Sequence, residues 1–260
     1  MSLKTILLHE NHGVALLTLN RPDKRNAISY DLIAELLQAL ELVRKSQSLV
    51  LIITGAGKAF CSGMDLENLK SLIGRTHEQN IEDSRTMAQL FRSLHDFPKP
   101  TIAAVNGPAI AGGTGIATIC DFTLAVPDAK FGYTEVRIGF VPAIVSTFLT
   151  RQIGDKQARD LLLTGRIFSA DEAYRLGLVN EIVDPDRLLA RAHELAAKLI
   201  ENSPASLRAT KELLAANVNE ELDRRLEASI EENARVRQTH DFQEGITAFL
   251  EKRKPRWSGN

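Results

Sequence analysis

The arrangement of apolar and polar positions divides the chain into two regimes. In the first, strand-like and helix-like stretches alternate. "TILLHE" (residues 5–10) and "GVALLTLN" (residues 13–20) read as two strands around a turn at Asn11-His12-Gly13. In "SYDLIAELLQALELVRKS", Ile33, Leu36, Leu37, Leu40 and Val43 share one helical face, and Ser29 is placed to cap it. "LVLIIT" (residues 49–54) is a continuous apolar run, the mark of a strand covered on both faces. A glycine-bounded loop, "GAGKAFCSGMDL", leads into helical segments that stop before Pro98 and Pro100, and "TIAAVNG" supplies another buried strand. Repetition of strand, loop and helix predicts an α/β fold with parallel pairing. After residue 185 the pattern becomes helical throughout. Four amphipathic stretches follow, with Pro185 and Pro204 near helix starts, where a missing N–H costs nothing. The expected division is an α/β core over residues 1–185 and a helical region over residues 186–260.

Composition narrows the classes. The 260 residues carry a formal net charge of −1, with basic residues dispersed, so there is no footprint for binding nucleic acid through its phosphates. Only Cys61 and Cys120 are present, far apart, which argues against a disulfide framework or a zinc site and for a reducing compartment. The N-terminus has no basic segment followed by a long apolar stretch, and no window reaches the roughly 18 apolar residues of a membrane span. A cytoplasmic protein is expected, with no membrane or nucleic-acid partner.

The candidate chemistry centres on "VNGPAIAGGTGIATICD" (residues 105–121). Gly113-x-Gly115 after a strand, with Glu135 twenty residues on, suggests a dinucleotide fingerprint. Thr118 stands where the third glycine belongs, however, and the match is weak. Glycines opening a helix also leave N–H groups free, with the helix dipole favouring negative charge there. A second such turn, "AFCSGMDL" (residues 59–66), also follows a buried strand, and the two together can offer one N–H each to a carbonyl oxygen on which charge develops. Either turn alone also reads as a tight strand-to-helix connection. There is no GxSxG elbow, and the histidines at 9, 12, 77, 95, 193 and 240 show no ligand spacing, so no metal is expected. Proton transfer by a carboxylate remains, with Glu135 in "FGYTEVRIGFVP" the candidate. A solvated surface role is the ordinary alternative for a lone glutamate.

Taken in order, "LNRPDKRNAI", "AFCSGMDL", "KPTIAAVNGPAIAGG", "CDFTLA", "FGYTEVRIGFVP", "LLLTGRIFSADEAYRLGLVNEIV" and "FLEKRKP" resemble the enoyl-CoA hydratase/isomerase (crotonase) family along essentially the whole chain. The resemblance implies a spiral of ββα units with C-terminal helices, assembled as a trimer or a dimer of trimers. It implies an acyl-CoA thioester substrate and no further cofactor. By position it implies oxyanion-holding N–H groups at Ser62 and Gly112, with Gly113 the neighbouring possibility, and Glu135 as the acid/base. Substrate and CoA contacts are implied at Arg25, Ala27, Met64, Asp65, Leu66, Gly113 and Gly115, and at Phe249 and Lys252 from a neighbouring subunit. Family hydratases carry two glutamates. Glu135 stands at the second position, followed by Gly139 and Pro142, whereas Gly115 occupies the first. Hydration of a 2-enoyl-CoA and double-bond isomerisation therefore both remain open. A non-catalytic acyl-CoA-binding or assembly subunit of the same fold is the alternative.

Overall fold

The computed structural model describes residues 3–260. Strands β1 (Ile6–Asn11) and β2 (Val14–Leu19) form the expected antiparallel pair, turning through His12 and Gly13, both at positive φ. Helix α1 (Tyr30–Lys45) begins where Ser29 accepts a hydrogen bond from the Leu32 N–H at 3.2 Å. Its buried face carries Ile33, Leu36, Leu40 and Val43, with Leu37 half-buried at the margin. Strand β3 (Val50–Gly55) is buried along its full length, as its unbroken apolar run requires, because it lies between β2 and β4 (Thr101–Val105), parallel to both. Helices α2 (Leu66–Ser71) and α3 (His77–His95) fill the crossover; Thr76 and Gln79 cap α3 reciprocally.

Beyond β4 the chain makes β5 (Ala109–Ile110), α4 (Gly112–Ile119), β6 (Phe122–Ala125) and β7 (Lys130–Gly132). A 3-10 turn over residues 135–138 precedes α5 (Ala143–Thr164), which is kinked at Gly154. Strand β8 (Ile167–Ser169), α6 (Ala170–Arg175) and β9 (Glu181–Ile182) complete two sheets. The larger runs β1-β2-β3-β4-β6-β9, parallel after its first pair, and the smaller runs β5-β7-β8.

Four helices follow as the sequence predicts: α7 (Leu188–Ile200), α8 (Pro204–Ala216), α9 (Asn219–Val236) and α10 (His240–Leu250). They build no separate core. Leu188, Ala192 and Ala196 of α7 and Leu222, Leu226 and Ile230 of α9 belong to the same cluster as the buried strands. Helix α7 lies against β3 and β4, and α9 packs against α3 and α5. Burying each such Leu or Ile stabilises the fold by about 1.5–3 kcal/mol. A satellite cluster of Leu69, Leu72, Phe242 and Ile246 seats α10 over α2. Helix α8 buries no residue, and its Leu213 and Leu214 are about two-thirds exposed.

Candidate active site

Two strand-to-helix turns meet at the ends of β3 and β4. Cys61 bridges Ala109 in parallel, the Ile110 N–H donates to the Cys61 carbonyl at 2.9 Å, and the Cys61 N–H donates to Pro108 at 3.2 Å. Glycine at 113 permits this contact, since a Cβ there would lie 2.4 Å from the Cys61 carbonyl oxygen. Across the join, Gly63 at φ +87° faces Ile110 and Ala111. Ala111 itself adopts φ 51°, ψ −122°, a conformation that costs an alanine of order 1–3 kcal/mol. The buried Asn26 ties the loop at 21–28 to this assembly. It donates to the Ala56 and Ala59 carbonyls at 2.9 and 2.8 Å and accepts from the Arg21 N–H at 2.9 Å.

These turns form one side of a cavity of about 540 Å³. Arg25, Ala27, Ser62, Met64, Asp65, Leu66, Gly112, Glu135 and Phe249 all line it. Gly113, Gly115 and Lys252 do not. Gly113 serves the contact between turns. Gly115 sits behind the wall, where a Cβ would be 2.5 Å from Phe91 Cε1 and 2.7 Å from Val145 Cγ1, both lining side chains. The space a longer side chain at 115 would enter is thus filled by two apolar ones. Lys252 lies exposed beyond the end of α10 at φ 55°. Phe249 reaches the cavity of its own chain from α10.

As the first residue of α4, Gly112 has no intrahelical acceptor, and its N–H donates to no other group among the described residues. The Ser62 N–H is engaged, donating at 3.1 Å to the carbonyl of Arg25. Arg25 and Asn26 both hold positive φ, at 49° and 55°. Asp65 is a structural group: it caps α2 through the Glu67 N–H at 2.9 Å and pairs with Arg21 at 2.8 Å.

Glu135 opens the 3-10 turn. Gly139 and Gly245 allow this turn to abut α10, since a Cβ on Gly139 would fall 2.3 Å from the Asp241 carbonyl oxygen, and one on Gly245 2.3 Å from that of Ile138. The Glu135 Oε2 is sealed from solvent and has no hydrogen-bond partner. Burial therefore pushes its carboxyl up to about 7, opposed only by its own backbone N–H. Such a group can take and return a proton near neutrality. Burial likewise pushes the nearby Cys61 thiol up to about 12, which removes it as a nucleophile. Among the described residues no group of three His, Cys, Asp or Glu side chains is placed to hold a metal, and no helix is long and apolar enough to cross a membrane.

Sequence reasoning missed Ser84, Asn233 and Arg237, which line the cavity from α3 and the end of α9. The signal was present as polar residues continuing buried stripes. Leu222, Leu226 and Ile230 run into Asn233 and Arg237 at helical spacing, and Asn80 and Ser84 precede Ala88 and Phe91.

The chain is similar to known proteins along nearly its whole length. The model of the enoyl-CoA hydratase/isomerase family matches residues 9–260. An enoyl-CoA hydratase homologue of Thermus thermophilus is 46% identical over 249 residues, covering 95% of this chain and 98% of the relative. The short-chain-enoyl-CoA hydratase of Clostridium acetobutylicum is 36% identical, with 98% and 97% covered. The crystal structure of an enoyl-CoA hydratase/isomerase from Xanthobacter autotrophicus superposes with a TM-score of 0.90 at 30% identity, covering 96% of this chain and 94% of that one. The chain belongs to the enoyl-CoA hydratase/isomerase family and is an enzyme of that type, acting on acyl-CoA.

Proposed function

We infer that the enzyme moves a proton on an acyl-CoA thioester with Glu135 alone, through an enolate held by backbone N–H groups. The observation that carries this reading is the Glu135 carboxyl, its buried Oε2 without a partner and its pKa raised to about 7, lining the same cavity as the free N–H of Gly112. In the isomerisation of a 3-enoyl-CoA, the carboxylate takes a proton from C2. The C–H electron pair moves into the C1–C2 bond, and negative charge develops on the thioester oxygen. The Gly112 N–H receives that oxygen, and the Ser62 N–H joins as the oxygen competes with the Arg25 carbonyl. The protonated Glu135 then delivers its proton at C4, leaving a 2-enoyl-CoA. A donor of this kind contributes about 3–4 kcal/mol to lowering the barrier.

The apolar filling beside Gly115 favours this one-carboxylate chemistry. Hydration is the second reading, favoured by the named activities of relatives such as the crotonyl-CoA hydratase of Syntrophomonas wolfei. There Glu135 takes the proton of a water whose oxygen bonds C3, and returns it to C2. For CoA, the proposed contacts are Arg25, Ala27 and the backbone of 64–66 at the cavity, with Lys252 near the nucleotide end. A crotonase-like spiral, with residues 186–260 serving assembly and cover, completes the reading. The bare apolar positions Leu213 and Leu214 on α8 support contact with further copies in a trimer or a dimer of trimers. The two buried free thiols fit a cytoplasmic setting.

The test assays water addition to crotonyl-CoA beside isomerisation of a 3-enoyl-CoA, for the wild type and Glu135→Gln. The expected result is faster isomerisation, falling about 10²–10⁴-fold in the variant with CoA affinity retained. An unimpaired variant removes Glu135 from the mechanism. Binding of CoA without either activity favours the non-catalytic alternative.

A further inference from the structure

The wall formed by α3 and α9 is built unlike the rest of the cavity. Arg237 is 4% exposed and stacks on the Phe140 ring, its guanidinium carbon 4.9 Å from the centroid. Its Nε donates to Asn233 Oδ1 at 2.7 Å, and its Nη1 donates to Asp83 Oδ2 at 2.6 Å and to Asn80 Oδ1 at 3.4 Å. Its Nη2 donates to nothing among the described residues. Ser84, fully buried on the cavity wall, has an Oγ without a partner, and the neighbouring Asn80 Nδ2 is equally unsatisfied.

The charges around this wall do not cancel. Among the described residues Asp83 is the one carboxylate paired with Arg237, and it is shared with Arg75 at 3.1 Å. Two guanidinium groups against one carboxylate leave an excess of one positive charge. The unused capacity is therefore mostly donor capacity, on a guanidinium, an amide and a hydroxyl. A plain hydrocarbon chain lying here would leave the Arg237 and Ser84 donors on the cavity wall unsatisfied, and burying unpaired donors beside methylenes is costly. A carboxylate accepts from several donors at once and neutralises the surplus charge.

We propose that the substrate's acyl group ends in a carboxylate, received by Arg237 and Ser84 on the wall formed by α3 and α9. This rests on the acyl-CoA reading above and adds the substrate's distal group to it. Arg237 is thus a specificity-determining residue; the proton transfer stays with Glu135.

The experiment measures calorimetric affinities for saturated acyl-CoAs from butanoyl to octanoyl, each beside its ω-carboxy counterpart. None of these requires turnover. At the length that spans the cavity, the ω-carboxy compound should bind about 10–100-fold tighter, the range expected of a charge-assisted contact. Arg237→Met should abolish the preference, and Ser84→Ala should reduce it several-fold, with affinity for free CoA unchanged in both. Asp83 keeps Arg75 as a partner in the first variant. Should that variant fail to fold, the wild-type pairs and Ser84→Ala still decide. Equal or weaker binding of the ω-carboxy compounds along the whole series overturns the proposal. Turnover of the matching 2- and 3-enoyl-CoAs separates it from the Glu135 reading. Preference without turnover refutes only the reaction, and turnover without preference refutes only the carboxylate subsite.

Discussion

Glu135 and the Asp83–Arg237 pair line or border one cavity, yet their charges are managed in opposite ways. Asp83 is held between two guanidinium groups, and its side chain and that of Arg237 are 5% and 2% exposed. Glu135 Oε2 is equally hidden and has no partner at all. Asp83 is a fixture, held in place by the two guanidinium groups it accepts from. Glu135, without such partners, shifts to about 7 and becomes a group that trades protons. Pairing, and not burial alone, distinguishes the two groups within one pocket.

Removing a partner from the fixed pair has the largest expected effect on stability. Asp83→Ala leaves Arg237 buried without its counter-charge and should cost about 3–5 kcal/mol, read from urea unfolding midpoints. A loss under 1 kcal/mol would mean that the Asn80 and Asn233 oxygens hold Arg237 without Asp83.

Glu135 should behave in the reverse sense. Its folded value of about 7 lies above the ordinary 4.5, so its contribution to stability is fully present below pH 4.5 and lost as pH rises through 7. The gap corresponds to about 3 kcal/mol. Glu135→Gln, which cannot ionise, should therefore exceed the wild type in stability by up to that amount at pH 8 and match it at pH 4. Wild-type kcat/KM should climb through about pH 7 to a plateau, since the carboxylate form takes the first proton. A flat difference in stability between pH 4 and 8 contradicts the account.

A smaller effect is expected where the wall is merely filled. Gly115→Ala pushes a methyl group into Phe91 and Val145 and should destabilise the fold by about 1–3 kcal/mol. Adding Phe91→Leu should restore part of the loss, as thermal melts of the single and double variants would show. Additive losses would mean the phenyl ring yields without help.

Much of this was legible in the chain. Ser29, Pro204 and the run at residues 49–54 announced their elements because capping, a missing N–H and strand burial on both faces act over a few residues. The two glycine turns and Glu135 were visible for the same local reason. The roles of individual glycines were not. Gly113 looked like a substrate contact and instead lets one turn touch the other, a fact held in the distance to the Cys61 carbonyl. Ser62 offered an N–H on paper, and in the fold that N–H meets the Arg25 carbonyl.

The sequence by itself determined the early strands and helices, the four C-terminal helices and the family, and singled out Glu135 as the candidate carboxylate, because each is written in short-range pattern. Tertiary structure alone decided what surrounds that carboxylate. Arg237 meets Asp83 across 154 residues of chain, and Gly115 meets Val145 and Phe91 from three different helices. Burial and pairing are properties of such encounters, and they give one carboxyl two guanidinium partners and leave the other raised to about 7.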